Sequence, residues 1–489
     1  MRYDDVGQIT LNANKTVTPF AGATAITLNG NSNAFIVKPY AFTVTNIQRT
    51  ADGFANPAAA SAVGTAFIKA GVSFTATVTA TNFSGAATPN FGKEISPEGV
   101  LLTPAVVLPV GGNNSSVSNG TLVGGLFSNG AATVTNLSWG EVGIITLTPS
   151  VGDGDYLGAG NTTGTTTGNV GRFYPHHFVV VPPPLTSLTP RADLACPSSS
   201  FTYMGEPMAL ALTLTAQNIA NGTTQNYTTA SGFAKLDGAT ASKWTTFGAN
   251  DSIGLGAMDS TLPTALTTRL SISGTPSGTW IAGVGTLSGN VVLNRSAIID
   301  GAFDNLKLGI APQDADGVIL LPGALNLDAD LNGSNERQQV ATGKVRYGRL
   351  RLNNAHGSEL LALPVPLTAQ YFNGAGFVTN TADNCTAFTL APQVNGAPAS
   401  YQYGNLLIDK PQASMTVTAS VPTLASPLSA GASVINLPAP NLSGSIDLTL
   451  TVPAWLQFNW TGVVGNPKAR ATFGAYRNTN QFIYQRENY

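Results

Sequence analysis

An internal repeat with an offset of 136 residues constrains the fold of this chain more than any other sequence feature. Residues 3–11 return as residues 139–147, and residues 38–42 return as residues 174–178, since 139 − 3 and 174 − 38 both equal 136. A third pattern of Thr, Ala and Asn, which begins at Thr79, returns at the same offset. Solenoid repeats are about 20–50 residues long, so an offset of this size predicts domains duplicated in tandem.

The repeat divides the 489 residues into an incomplete unit, two complete units and a divergent last unit. The predicted parts are the C-terminal strands of an incomplete β-sandwich unit (1–38), an immunoglobulin-like β-sandwich unit (39–174), a longer immunoglobulin-like unit (175–343) and a divergent C-terminal β-sandwich domain (344–489). A complete unit of this length is large enough to bury a hydrophobic core of its own.

Short stretches of alternating apolar residues predict that the units are built from β-strands. In residues 74–80, apolar side chains alternate with threonine, which places the apolar side chains on one face of a strand. The chain also has 53 Gly and 30 Pro, residues that favour turns. Short strands between frequent turns are typical of immunoglobulin-like sandwiches. The predicted fold is all-β, with tandem immunoglobulin-like β-sandwich domains arranged as an elongated rod.

The composition argues against several classes of function. Only 10% of the residues are charged and the net charge is −2, so we expect no nucleic-acid-binding face. The sequence has no run of about 18 apolar residues, and we therefore expect no transmembrane segment. With three histidines and no recognisable catalytic motif, we also expect that the chain is not an enzyme.

Two cysteines, Cys196 and Cys385, leave two possibilities open. They are too few for a disulfide scaffold or a thiolate zinc site. They either form one long-range bridge in an oxidising compartment or remain two buried thiols.

The loop at residues 327–336 contains the strongest candidate for a metal site. Alternating oxygen ligands followed by glycine are how a short loop surrounds a hard cation such as Ca²⁺. The predicted ligands are Asp328, Asp330, Asn332 and Glu336. The loop does not match an EF-hand, because no flanking helices are predicted. The alternative is a pair of turns in which the carboxylates accept hydrogen bonds from local backbone amides.

His176 and His177 are predicted to be structural residues. Adjacent side chains of a strand point to opposite faces, so the two imidazoles are not expected to share a metal ion. Their counterparts in the repeat are Tyr40 and Ala41, so these positions do not require histidine. The third histidine, His356, lies alone in a predicted turn.

Residues 344–352 form the most basic segment of the chain, with Lys344, Arg346, Arg349 and Arg351. Turn residues at 353–357 separate this segment from the alternating residues 361–371, which predicts a β-hairpin. The basic side chains could bind an anion or polysaccharide, dock a partner chain, or pair with acids of the same domain such as Glu359. The repeat favours a junction strand that enters the terminal domain, with arginines that hold one domain against the next.

Several segments resemble one protein family, in the order in which that family carries them. They are GRFYPHHF (171–178), FTYMGEP (201–207), VRYGRLRLNNAHGSELLALPVPLTAQYF (345–372), TADNC (381–385) and ARATFGAYRNTNQFIYQRENY (469–489). The sequence resembles the C-terminal region of MshQ-type proteins, which are associated with biogenesis of the mannose-sensitive haemagglutinin (MSHA) type IV pilus. The resemblance implies an exported surface protein of a Gram-negative bacterium, and it supplies no catalytic residues.

These observations predict a non-enzymatic extracellular protein that serves as a stalk or tip component in pilus-associated adhesion or assembly. Its expected partners are pilus or other cell-surface components, and possible partners include further copies of itself. One alternative is a self-assembling filament subunit that uses strand exchange, because residues 1–38 are predicted to leave sheet edges open. A further alternative is a polysaccharide-binding protein or a hydrolytic enzyme.

Overall fold

The structure is a computed structural model that describes residues 3–18, 22, 24–181, 188–192, 196, 199–236, 254–261, 263–390, 423–441, 444–460 and 462–474. The regular elements in these ranges are β-strands, together with 3₁₀-helices at Gly124–Leu126, Thr267–Arg269, Pro322–Ala324 and Ala454–Leu456. The strands form pairs of facing sheets, as predicted for tandem sandwiches. Within the described ranges, no helix is long and apolar enough to cross a membrane.

The N-terminal residues form two separate two-stranded sheets. Their strands are β1 (Gly7–Ile9), β2 (Asn12–Val17), β3 (Ile26–Asn31) and β4 (Phe35–Val37). β1 pairs with β4 in antiparallel orientation, with Gly7 opposite Val37, and β2 pairs with β3. Among the described strands, β1 and β4 pair only with each other, so each has an open edge.

The first complete sandwich consists of nine strands. They are β5 (Ala41–Arg49), β6 (Ile68–Lys69), β7 (Phe74–Thr81), β8 (Val100–Leu108), β9 (Val117–Ser118), β10 (Thr121–Leu122), β11 (Ala131–Trp139), β12 (Gly143–Val151) and β13 (Val170–Tyr174). One sheet has the order β10-β8-β12-β13-β6, and the facing sheet has the order β5-β7-β11-β9.

The second sandwich repeats this arrangement with longer strands. It contains β14 (His177–Val180), β15 (Leu188–Thr189), β16 (Thr202–Tyr203), β17 (Met208–Gln217), β18 (Gly254–Asp259), β19 (Thr264–Ala265), β20 (Leu270–Ile281), β21 (Val284–Leu293), β22 (Phe303–Ala311) and β23 (Gln338–Arg346). The sheet orders are β14-β17-β21-β20, with β15 also paired to β17, and β16-β23-β22-β18-β19.

The third sandwich occupies the C-terminal part of the chain. Its strands are β24 (Gly348–Leu352), β25 (Ala355–Gly357), β26 (Leu363–Phe372), β27 (Phe377–Thr379), β28 (Thr389–Leu390), β29 (Thr423–Leu424), β30 (Ala432–Leu437), β31 (Gly444–Thr451), β32 (Phe458–Asn459), β33 (Val464–Gly465) and β34 (Lys468–Phe473). The sheet orders are β24-β26-β30-β29, with β27 on β26, and β25-β34-β31-β28, while β32 and β33 form a separate hairpin.

All three sandwiches divide their first strand between the two sheets. The first part pairs antiparallel with the next long strand, in β5–β7, β14–β17 and β24–β26. The second part pairs parallel with the last strand of the facing sheet, in β6–β13, β16–β23 and β25–β34. The chain is therefore a tandem series of immunoglobulin-like β-sandwiches, as the sequence predicted.

The hydrophobic cores of the three sandwiches differ in the kinds of side chain that fill them. In the first complete sandwich, the fully buried Trp139 lies against Phe173, with 5.1 Å between the ring centroids. In the second, Trp280 and Tyr227 pack edge to face at 4.9 Å. The third core is mainly aliphatic, but Phe201, from the chain leading into β16 of the second sandwich, packs into it. The second and third sandwiches therefore share buried surface.

Candidate functional site: the junctions between sandwiches

The first junction joins the N-terminal strands to the first complete sandwich. The Asn82 side-chain Nδ2 donates to the Asp4 carbonyl oxygen at 2.9 Å. The Asn90 backbone N–H donates to Asp5 Oδ1 at 3.0 Å. Asp5 is half-buried, and a carboxylate that accepts a backbone N–H forms a charge-assisted hydrogen bond.

The second junction reproduces these contacts 136 positions later. Asn218 Nδ2 donates to the Gly140 carbonyl oxygen at 2.9 Å. The backbone N–H groups of Gln225 and Asn226 donate to the two oxygens of Glu141, at 2.9 and 3.1 Å. Glu141 is only 3% exposed, so these bonds are shielded from water. The repeated sequence pattern therefore encodes the contact between consecutive units.

Two further interactions fix the second junction. Asn113 and Asn226 form reciprocal hydrogen bonds, from Asn113 N to Asn226 Oδ1 at 2.7 Å and from Asn226 Nδ2 to Asn113 O at 2.9 Å. Arg172 and Asp316 form a bidentate pair with two bonds of 2.6 Å. The Arg172 and Asp316 side chains are 4% and 9% exposed, so the orientation of the second sandwich depends on a buried, directional pair.

Asp314 fixes the conformation of the loop that carries Asp316. Its Oδ1 accepts the backbone N–H groups of Asp316 and Val318, and its Oδ2 accepts the Tyr227 hydroxyl at 2.9 Å. Burial raises the pKa of Asp314 to about 6, because water is lost from its charged form.

The third junction is built around Arg191, which is fully buried. The guanidinium donates to Glu206 Oε1 at 3.0 Å, to Asp383 Oδ1 at 2.7 Å and to Thr386 Oγ1 at 2.6 Å. Burial opposes the ionisation of Asp383, but the charge of Arg191 and hydrogen bonds from Thr386 hold the pKa of Asp383 below its usual value. For Glu206, burial outweighs the attraction of Arg191 and raises its pKa.

Cys196 and Cys385 form a disulfide beside this cluster, which resolves the two possibilities left open by the sequence. Their Cα atoms lie 6.1 Å apart, and 189 positions separate the two residues. Arg295 adds a further contact from the second sandwich, since it donates to the backbone carbonyl of Gln457 at 2.7 Å and to those of Gly348 and Trp455. The third junction is thus held by covalent, ionic and hydrogen bonds.

The basic segment crosses this junction, as expected, but it is divided between two strands instead of forming one. Lys344 and Arg346 end β23 of the second sandwich, whereas Arg349 and Arg351 lie in β24 of the third. Arg346 donates to the Asn380 side chain and Arg349 to Gln370 Oε1, rather than to Glu359. The two strands of the predicted hairpin do pair, as β24 and β26. The prediction of a turn at residues 353–357 is wrong, because these residues contain β25, which crosses to the facing sheet and pairs with β34.

The predicted cation loop brings three of its four residues together. Oxygen atoms of Asp328, Asp330 and Glu336 all lie within 4.8 Å of one another. Asn332 instead donates its backbone N–H to both aspartates and its Nδ2 to Asp330 Oδ2, and its own Oδ1 accepts the Ser334 N–H. The local turns of the alternative interpretation are therefore also formed.

The carboxylates of this loop retain some capacity for a cation. Asp328 accepts the N–H groups of Asn332 and Gly333, and although burial opposes the shift, these bonds lower its pKa. Glu336 Oε1 accepts the Ala329 N–H and pairs with the Arg337 guanidinium, while Glu336 Oε2 is buried and has no hydrogen-bond donor in the described structure. Oxygen ligands of this type fit Ca²⁺, which the loop would hold through Asp328, Asp330 and Glu336.

The prediction that His176 and His177 point away from each other is wrong. Their Nδ1 atoms lie 2.9 Å apart, because His176 occupies the bend before β14 and only His177 belongs to the strand. His356, in β25, is exposed and lies in the third sandwich.

Sequence reasoning missed the charged cluster of the third junction. Arg191 and Asp383 are 192 positions apart and belong to no local motif. The two cysteines were the available signal, since each lies within five positions of a member of this cluster. Glu141 could have been found from the repeat, because its counterpart is Asp5.

Comparison with known families gives one consistent result. The chain matches three domains of DUF6701, namely the second domain over residues 38–137, the third over residues 141–339 and the fourth over residues 346–488. The fold and the junctions define an array of immunoglobulin-like sandwiches held in fixed contact. The chain belongs to the DUF6701 family. No curated protein matches it.

Three solved structures show weak similarity. The Yersinia pseudotuberculosis adhesin InvE is 11% identical with a TM-score of 0.20, and the match covers 61% of this chain and 59% of InvE. A marsupial T cell receptor is 11% identical with a TM-score of 0.20, covering 78% and 93%. The Escherichia coli alpha-2-macroglobulin is 9% identical with a TM-score of 0.15, covering 96% and 29%. With TM-scores this low, none of them supports a conclusion about this chain.

Proposed function

We propose that the chain is a non-enzymatic stalk that holds an adhesive or assembly surface away from the bacterial cell. The observation that carries this proposal is the repeated junction, in which an acid of one unit accepts backbone N–H groups of the next. Loose linkers would be sufficient to connect independent domains. Buried, directional contacts at successive junctions instead favour a stiff connection whose length is set by the number of units.

One groove, with a volume of about 600 Å³, lies between the first and second complete sandwiches. Residues such as Pro109, Asn113 and Phe233 line it, and no titratable side chain does. General acid–base catalysis requires a proton donor or acceptor in reach of the substrate, which this groove does not offer. A second groove, beside the N-terminal strands, contains Asp5 and Lys38.

The finer assignment is to the MSHA type IV pilus system of a Gram-negative bacterium, as an MshQ-type surface protein. It rests on the sequence resemblance alone. The disulfide supports export, because such bonds persist in the periplasm and outside the cell. Surface labelling of whole cells, compared with and without deletion of the pilus genes, tests this assignment: a chain that is labelled only after the cells are lysed would contradict it.

Stiffness of the second junction can be tested with Glu141→Ala. The substitution removes an acceptor of three backbone N–H groups, those of Val142, Gln225 and Asn226, and of the Asn113 side chain. We therefore expect a broader distribution of angles between the first and second complete sandwiches. The buried N–H groups left unpaired should cost about 1–3 kcal/mol of stability. Single-particle electron microscopy measures the angles, and small-angle X-ray scattering measures the maximum dimension.

Asp304→Ala is the matched control, because Asp304 is an exposed acid in the second sandwich. It should leave the angle distribution unchanged. If the wild-type chain already shows angles as broad as those of Glu141→Ala, the junction does not stiffen the chain and the stalk proposal fails.

A further inference from the structure

One arginine of the third sandwich lies among three aromatic rings. Arg349 is half-buried in β24, and its guanidinium carbon lies 3.7 Å from the ring centre of Phe377 in β27. The ring centres of Phe458, in β32, and of Trp460, just after it, both lie 4.9 Å from the same carbon. These cation–π contacts hold the guanidinium in a fixed position at the surface of the sandwich.

Arg349 has no anionic partner in the described structure. Its Nε donates to Gln370 Oε1 at 2.9 Å, and no described residue accepts a hydrogen bond from its two terminal nitrogens. Arg351 lies on the same face of β24, about 7 Å further along the strand. It is exposed and forms no ion pair with a described acid. By contrast, Arg172 and Arg470 each pair with a carboxylate.

The charges of the two arginines are poorly compensated. Burial among the rings removes water from Arg349 and the charge of Arg351 repels it, and both effects lower the pKa of Arg349. A bound anion would offset both effects. The two terminal nitrogens of a guanidinium match the two oxygens of a carboxylate, so a carboxylate is the anion that fits Arg349 best.

Apolar surface lies next to these nitrogens. Trp460 is 37% exposed beside the guanidinium, and Val464, in the other strand of the same hairpin, is 58% exposed. The face of a sugar ring carries C–H groups, which pack on aromatic and aliphatic side chains, whereas its polar substituents bind polar groups at the edge of such a surface. The surface therefore combines the features that recognise an acidic sugar.

We propose that Arg349, Arg351 and Trp460 bind a carboxylated polysaccharide. Arg349 donates two hydrogen bonds to the carboxylate of one sugar unit, Trp460 packs against the ring of that unit, and Arg351 attracts the carboxylate of a neighbouring unit. Two cations on a chain with a net charge of −2 do not provide the wide basic surface that a nucleic acid requires. The inference goes beyond the stalk function, because the site lies within the third sandwich and requires no stiff junction.

The experiment is a titration of the full chain with oligogalacturonate by isothermal titration calorimetry at low salt. Two comparison ligands separate the parts of the proposal. The methyl-esterified oligomer keeps the sugar ring and loses the charge, whereas polyglutamate keeps the carboxylates and loses the sugar. We expect oligogalacturonate to bind at least tenfold more tightly than either of them. Added salt should weaken its binding, because Arg351 is exposed.

Variants locate the binding. Arg349→Gln should weaken it tenfold or more, and Arg349→Lys should also weaken it, because an ammonium keeps the charge without the paired donors. Trp460→Ala should weaken it by removing the surface under the ring. Arg351→Gln, at an exposed position, tests the site without disturbing the aromatic cluster. Arg470→Gln is the matched control, since Arg470 is an exposed arginine on the facing sheet, and it should bind as the wild type does.

Three results would overturn the proposal. The first is a wild-type chain that does not bind oligogalacturonate at millimolar concentration. The second is equal affinity for oligogalacturonate and for either comparison ligand, because the site would then not read a carboxylate on a sugar. The third is wild-type affinity in Arg351→Gln together with wild-type affinity in an Arg349→Gln variant that circular dichroism shows to be folded.

Discussion

Asp314 is a buried carboxyl whose ionisation opposes folding at neutral pH. Burial raises its pKa to about 6, from an ordinary value near 3.8. A group whose folded pKa is raised contributes stability that is present at low pH and is lost as the pH rises through about 6. Asp314→Asn stays neutral and keeps an oxygen acceptor for the backbone N–H groups of Asp316 and Val318. Between pH 4.5 and 7, the variant should gain on the order of 2 kcal/mol relative to the wild type.

Urea denaturation at the two pH values measures this difference. Asp304→Asn, at an exposed position of the same sandwich, should show no such change with pH. If the stability difference between wild type and Asp314→Asn were the same at both pH values, the carboxyl would have an ordinary pKa in the folded protein.

Contacts between residues that are close together in the sequence could be predicted, whereas contacts between residues far apart in the sequence could not. The cluster of Asp328, Asp330 and Glu336 follows from spacing within nine positions, since a loop closes over such a distance by itself. Arg191 finds Asp383 across 192 positions, and only the packing of two sandwiches brings them together. A lone arginine in a sequence with few charges carries no sign of that partner.

The loop between the 3₁₀-helix Pro322–Ala324 and β23 is the element on which the calcium prediction depends. Leu331 and Gly333 have φ values of 62° and 93°, and this left-handed backbone turns the loop so that its carboxylates converge. Neighbouring carboxylates repel one another, so bound Ca²⁺ should stabilise the loop and raise the melting temperature. Differential scanning fluorimetry with calcium and with a chelator measures the change.

Asp330 is an exposed predicted ligand, and its substitution tests this prediction. Asp330→Ala should remove the response to calcium, whereas Asp304→Ala should keep it. Equal melting temperatures for the wild type in calcium and in chelator would show that the loop is held by its backbone hydrogen bonds alone.

At the level of elements, the repeat predicted more than the local patterns did. It placed β5 and β14 at equivalent positions and predicted a junction strand near residue 344. The residues that recur at the offset of 136 also form the contacts between units. The alternating pattern of residues 344–352 suggested one strand, but the structure divides it between β23 and β24. The alternation of apolar and polar residues does not show where a chain leaves one sheet and enters another, because the strands of both sheets have the same alternation.

Across the whole molecule, the junctions become more tightly connected toward the C-terminus. The first junction has the exposed Asn82 contact and the Asp5 bond, and the second adds the buried Arg172–Asp316 pair. The third adds a disulfide, and buried apolar residues are shared at both of these junctions, through Val142 and Ile144 at the second and through Phe201 at the third. In the described structure, the third junction is therefore the most strongly connected of the three.

The disulfide should couple the unfolding of the second and third sandwiches. Cys196→Ser combined with Cys385→Ser frees a loop closed over 189 positions, so we expect a loss of about 2–4 kcal/mol in these two sandwiches. Calorimetry should therefore show a lower transition for the C-terminal pair and an unchanged one for the first sandwich. Reductant should reproduce this shift in the wild type and have no effect on the double variant. If neither the double substitution nor the reductant lowers the C-terminal transition, the buried Arg191 cluster alone holds the junction.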